Sequence, residues 1–171
     1  REPLSASDSV SAEGAAGLRG HVIAAAEALR AGEPKRAVES FRAARAVCAG
    51  EGRGVEEAGI LLALAGAQLA AGVPGEAVAS FRTGGEVAAK GEAWPLACQA
   101  KLGEAGAELL QSHHREAASV YVEACGLADK AGVVAVRVEA LRMAGVCHLL
   151  GGDKQQTVRL WQTAVDVGLK L

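Results

Sequence analysis

Ala37-Val-Glu-Ser-Phe41 returns at a fixed interval: Ala77-Val-Ala-Ser-Phe81, Ala117-Ala-Ser-Val-Tyr121 and Thr157-Val-Arg-Leu-Trp161 each begin 40 residues after the last. Leu29, Leu69, Leu109 and Leu149 keep the same spacing. A strict period of this length marks a solenoid, in which one supersecondary unit is stacked on copies of itself. Such folds present extended binding surfaces rather than a catalytic centre.

Within each unit the pattern predicts helix, short turn, helix. The first helices are expected near 11–31, 55–71, 95–111 and 134–150, and the second near 34–49, 75–90, 115–131 and 154–170. Ala37, Phe41, Ala44 and Cys48 recur at three- and four-residue spacing, which is one face of a helix. Gly32, Gly72 and Gly152 sit where a left-handed C-cap is expected, since a Cβ is disfavoured there. Pro34 and Pro74 follow at helix entries, where a missing N–H costs nothing. Residues 1–10 lack periodicity and are expected to be a frayed terminus, with Ser9 or Ser11 capping the first helix. The domain is then residues 11–171, four repeats.

Four of the five aromatic residues, Phe41, Phe81, Tyr121 and Trp161, fall at the same position of the repeat. A wedge between helices needs one such residue per unit; a cofactor or base-stacking site does not. Gly84-Gly85 lies inside the second unit's second helix and weakens it by about 1 kcal/mol per glycine relative to alanine.

Composition narrows the function classes. The net charge of −2 and pI near 6.1 give no basic face for nucleic acid. The longest apolar stretch, Ile60–Ala71, is broken by Gln68 and too short to span a bilayer, and no signal peptide is visible. Cys48, Cys98, Cys125 and Cys147 show no CxxC spacing and read as buried free thiols of a reducing cytoplasm. The absence of asparagine from an Ala- and Gly-rich chain hints at a GC-rich bacterial genome. No serine, cysteine or lysine has a visible base partner for nucleophilic catalysis. His113-His114 with Glu116 lies in a turn without the converging ligands a metal needs. No catalytic, cofactor or metal site is therefore expected.

The pattern resembles the tetratricopeptide repeat. Its small first-helix residue corresponds to Ala25, Ala65, Ala105 and Gly145, its glycine to Gly32, Gly72 and Gly152, with Ser112 in the third unit. Its second-helix set corresponds to Ala37/Phe41/Ala44, Ala77/Phe81/Gly84, Ala117/Tyr121/Ala124 and Thr157/Trp161/Ala164. The likeness covers about residues 11–171. The usual unit is 34 residues, so a 40-residue one points to longer helices, as in kinesin-light-chain-like repeats. The resemblance implies an all-α, right-handed superhelical solenoid of four antiparallel helix pairs.

It also implies a concave groove lined by the first helices: Val22, Ala26 and Leu29; Leu62, Gly66 and Leu69; Leu102, Gly106, Leu109 and Leu110; Arg142, Val146, Leu149 and Leu150. An apolar helix or extended peptide is the natural occupant of such a groove. The Lys/Asn/Asn/Lys/Arg clamp of the chaperone-tail-binding members is missing, with Ala, Gly, Gly and Val at corresponding places. At the other end, Leu160, Trp161, Val165 and Leu169 suggest self-association through the last repeat, because repeat arrays normally finish on a polar cap. The reading is a cytoplasmic protein-binding adaptor or scaffold. Its alternatives are a chaperone for an apolar or secreted client and a sensor domain of a larger signalling or transcription protein.

Overall fold

Every junction between consecutive described helices is made by the same turn. In the computed structural model, which describes the backbone of residues 6–170 and side-chain surroundings from residue 14 onward, eight helices follow one another without a strand among the described residues. They are α1 (Ala6–Arg30), α2 (Pro34–Gly50), α3 (Gly54–Ala70), α4 (Pro74–Lys90), α5 (Trp94–Leu110), α6 (His114–Ala131), α7 (Val134–Leu150) and α8 (Lys154–Gly168). Positive φ falls at residues 32, 52, 72, 92, 112, 132 and 152, which are 20 apart. After each, the next amide reaches back five residues, as in Glu33 N–H to Ala28 O (2.8 Å), Arg53 N–H to Cys48 O (3.0 Å) and Asp153 N–H to His148 O (2.8 Å). This is the Schellman closure, which satisfies carbonyls orphaned at a helix end. The turn within a unit and the turn between units are thus one structure, and the backbone period is half the sequence period.

The left-handed position is glycine in five of the seven turns and Glu92 (φ 54°) or Ser112 (φ 61°) in the others. Pro34 and Pro74 open α2 and α4 as expected, and Pro95 occupies the first turn of α5. Asp153 caps α8 by accepting the Gln156 amide at 3.0 Å. The first helix differs from expectation. α1 begins at Ala6, so Ser9 and Ser11 lie inside it rather than at its start. Of the stretch read as a frayed terminus, residues 1–5 lie outside the described residues and Ala6–Val10 continue α1.

Consecutive helices pack along the whole chain, and α3 also touches α5 directly. The core is a series of small clusters rather than one large one, because alanine at the contact positions brings helix axes close. Phe41, Phe81 and Tyr121 are buried where expected, each beside the small first-helix residue of its own unit. Thr157 replaces the alanine of the other units and is buried. Its hydroxyl donates to Asp153 O (2.8 Å) and lies 3.2 Å from Gly145 O, so it carries no unmet polar group.

All four cysteines are free and buried. Burial raises each thiol above its ordinary range. Cys98 donates to Ala124 O (3.5 Å) and Cys125 to Tyr121 O (3.3 Å), so the two thiols on neighbouring helices each have a backbone acceptor of their own.

Candidate functional site

The fourteen first-helix positions divide by exposure. Leu29, Leu110, Leu149, Leu150, Gly66 and Arg142 are exposed. The other eight are half-buried: Val22, Ala26, Leu62, Leu69, Leu102, Gly106, Leu109 and Val146. Leu62 and Leu69 pack beside Phe81, and Leu102 and Leu109 beside Tyr121, so each presents one edge to solvent while its other side supports the wedge. Nothing lies within 4 Å of where a Cβ on Gly66 or Gly106 would stand, so neither glycine is required by the protein's own packing. Val22 lines a cleft of about 410 Å³ between α1 and α3 with Leu18, Ile23, Gly59 and Ile60.

Arg142 belongs to a different neighbourhood. With Val138 it meets Trp161, Val165 and Leu169 in an apolar cleft of about 620 Å³ at the end of the stack. Its guanidinium donates twice to Glu139, at 2.8 and 2.6 Å, and Trp161 Nε1 donates to its carbonyl at 3.1 Å. The structure therefore joins one expected groove residue to three of the four expected self-association residues. The fourth, Leu160, is turned inward and packs with Leu102 against the Tyr121 cluster.

The sequence reading missed a polar seam along α5. Glu104, 1% exposed, accepts Arg82 Nε at 2.8 Å and Lys101 Nζ at 2.9 Å. Lys101 also reaches Glu123 at 2.8 Å, and Glu108, likewise buried, lies 2.8 Å from His113 Nδ1 and 3.7 Å from Arg82. The seam ties α4, α5 and α6 together. Burial opposes the charged form of Lys101, but its hydrogen bonds to Glu123 and Glu104 outweigh that and push the ammonium pKa up. The hydrogen bond that Arg82 donates to Glu104 does the same for its guanidinium. One unit earlier, Leu64 and Gln68 stand at the positions of Glu104 and Glu108. There Arg42 turns to Glu76 (2.8 Å), which also accepts Gln68 Nε2 (3.1 Å). A sequence signal did exist: Glu104 and Glu108 share a face one turn apart, with Arg82 on the preceding helix.

Chemically, the seam is closed by its own charges. No cluster of three or more His, Cys, Asp or Glu residues suited to a metal occurs among the described residues, and no described helix is long and apolar enough to cross a membrane.

The fold is the tetratricopeptide-like α-solenoid. The chain is similar to a crystal structure of a single-substitution variant of a Podosopora anserina protein described as a kinesin light chain with nearly identical TPR-like repeats, at a TM-score of 0.70 and 21% identity over 90% of this chain and 75% of that one. A second crystal structure of such a protein from the same organism superposes with a TM-score of 0.53 at 16% identity, covering 90% of this chain and 95% of that one. No family model and no curated protein matches the sequence. The likeness is one of fold, and it bears out the 40-residue helix-pair reading.

Proposed function

We propose that the chain is a protein-interaction module, an adaptor or scaffold that takes an apolar helical or extended segment along its first helices. The observation that carries this reading is the leucine stripe with open glycines. Leu29, Leu110, Leu149 and Leu150 stand out to solvent although helix-favouring polar residues would serve there equally, and Gly66 holds open a site that no internal contact requires. A partner backbone can approach at Gly66 and Gly106 while its apolar side chains meet the leucine edges.

The test uses peptides selected by display against the intact chain. Leu110→Glu and Leu150→Glu are at exposed positions and leave the fold intact, which circular dichroism verifies. Each is expected to weaken the selected peptides at least about tenfold, the effect of losing one buried leucine anchor. Val122→Glu, exposed on α6, is the control and leaves affinity unchanged. Equal affinity for all three variants would defeat the groove reading.

A further inference from the structure

The joint between the first two units is wider than the joints that follow it, for a reason written in the repeat. Where a second helix meets the next first helix, one register position pairs Arg45 with Ile60, Gly85 with Ala100 and Cys125 with Ala140. Gly85 and Ala100 stand close, since a Cβ on Gly85 would lie 3.3 Å from the Ala100 Cβ. Cys125 lies 3.8 Å from Arg137 O of α7. Arg45 instead extends to Glu57 at 3.2 Å, and Ile60 brings a branched side chain where the later units have alanine. Helix separation follows the size of the side chains at the contact. Accordingly α2 and α3 pack least closely of all consecutive pairs.

The wider joint leaves space between first helices. α3 lies directly against α5, whereas α1 stands off from α3 across the cleft of about 410 Å³. Leu18, Val22 and Ile23 line it from α1, and Gly59 and Ile60 from α3. Gly59 sits inside a helix, where glycine is unfavourable, yet a Cβ there would meet nothing within 4 Å. No internal contact requires the glycine, and its missing side chain keeps the cleft clear. Two charged residues border the space, Arg19 and Glu56. Arg53 holds Glu56, with one hydrogen bond at 2.8 Å, and also holds Glu51 at 3.1 Å. Arg19 is in no such pair among the described residues, and it occupies the repeat position of Gln99 and Glu139, which are exposed as it is.

We propose that the cleft between α1 and α3 binds a small amphiphile, an unbranched apolar tail ending in a carboxylate. Its volume falls within the range of small-ligand pockets, about 300–1,000 Å³, and exceeds what one leucine or phenylalanine side chain fills. Its walls are helix faces whose amides and carbonyls are spent within the helices, so a peptide backbone finds no partner there, and an alkyl chain needs none. The sign of the head group follows from Arg19. A guanidinium presents paired N–H donors in a plane that matches a carboxylate, and the one carboxylate bordering the cleft is already taken by Arg53. This inference shares only Val22 with the groove reading and stands without it.

Calorimetric titration of the intact chain with octanoate, 1-octanol and octylamine tests it. Octanoate is expected to bind with a Kd of roughly 0.1–1 mM, the range for a ligand of that size. Octanol should bind at least about fivefold more weakly for want of the charge-assisted hydrogen bonds, and octylamine more weakly still. Arg19→Gln brings octanoate down to the level of octanol. Gly59→Leu fills the cleft and weakens octanoate at least about tenfold; its Cβ has open space and leucine is the better helix former, so the variant folds. Octanoate that fails to bind, or that binds the Gly59→Leu variant as well as wild type, overturns the site. Octanol or octylamine binding as tightly as octanoate overturns the carboxylate. Leu110→Glu leaves octanoate binding unchanged, which separates this result from any failure of the groove.

Discussion

Gly145 lies directly beneath the Trp161 indole: a Cβ built on Gly145 would come within 2.5 Å of Trp161 Cδ1 and collide with Nε1. In the other three units the same pair is Ala25/Phe41, Ala65/Phe81 and Ala105/Tyr121. The small residue shrinks in the unit where the aromatic residue grows. Gly145→Ala is therefore expected to destabilise by about 1–3 kcal/mol through overpacking, although alanine is the better helix former. Trp161→Phe on that background restores most of the loss by recreating the Ala65/Phe81 pair. Urea unfolding of the four-member cycle reads the coupling; additive effects would show that the two residues do not share a site.

Ser112 and Glu92 hold left-handed backbone where the five companion turns have glycine. The turn closures are otherwise the same, so the strain sits in the side chain alone. Ser112→Gly and Glu92→Gly should each stabilise by about 0.5–1 kcal/mol, since relief of the αL penalty exceeds glycine's added unfolded-state entropy. Thermal midpoints of the two variants decide it, and a lowered midpoint in both would show that the turns tolerate a Cβ without cost.

The fold was legible because its signals repeat. Ala37, Phe41 and their counterparts report contacts that every unit makes, and period alone reveals them. Gly32, Gly72 and Gly152 marked three turns, but the equivalence of those turns with the links at 52, 92 and 132 was hidden, since Glu92 carries no turn signature. Gly84-Gly85 reads as weakening its helix, although the resemblance also sets Gly84 at a small-residue position. In the structure Gly84 is the floor on which Leu62 rests, with a Cβ there 2.8 Å from Leu62 Cδ1, and Gly103 is the seat of Phe81. The polar seam left only a faint signal, Glu104 and Glu108 one turn apart, because a buried glutamate and a solvated one read alike until the neighbouring helix supplies its arginine. For the proposed groove, the sequence supplied candidate positions, and only the coordinates divide its leucines into those that support the wedge and those that face outward.

The seam makes its own prediction. Arg82 is half-exposed, so its removal is screened in part by water, yet it leaves the buried Glu104 carboxylate with Lys101 as its sole cation. Arg82→Ala should cost about 1–2 kcal/mol, the lower range for stripping a partner from a buried charged group. Glu104→Leu reproduces Leu64 of the preceding unit, and Lys101 keeps Glu123. The double variant Arg82→Ala/Glu104→Leu is expected to be at least as stable as Arg82→Ala alone. If it is less stable, Glu104 is held by something other than its charge partners.

The buried thiols set the alkaline limit of stability. Cys48, Cys98, Cys125 and Cys147 all have pKa values raised by burial, Tyr121 is raised for the same reason, and Lys101 is raised by its carboxylates despite burial. For each, the folded state holds its proton more tightly than the unfolded chain does. The stabilisation is complete below the unfolded pKa and is lost as pH rises through the folded one. Unfolding free energy should thus begin to fall above about pH 8.5, the ordinary thiol value, and fall further beyond about pH 10 as Tyr121 and Lys101 join. Urea titrations at about pH 7, 8.5 and 10 measure this slope. Cys147→Ala and Cys48→Ala should flatten its first part, each removing one group that ionises more readily unfolded than folded. A slope unchanged by either substitution would assign the alkaline limit to other groups. Thiol labelling gives an independent reading, because all four cysteines should react only in the unfolded chain, at a rate set by opening rather than by reagent.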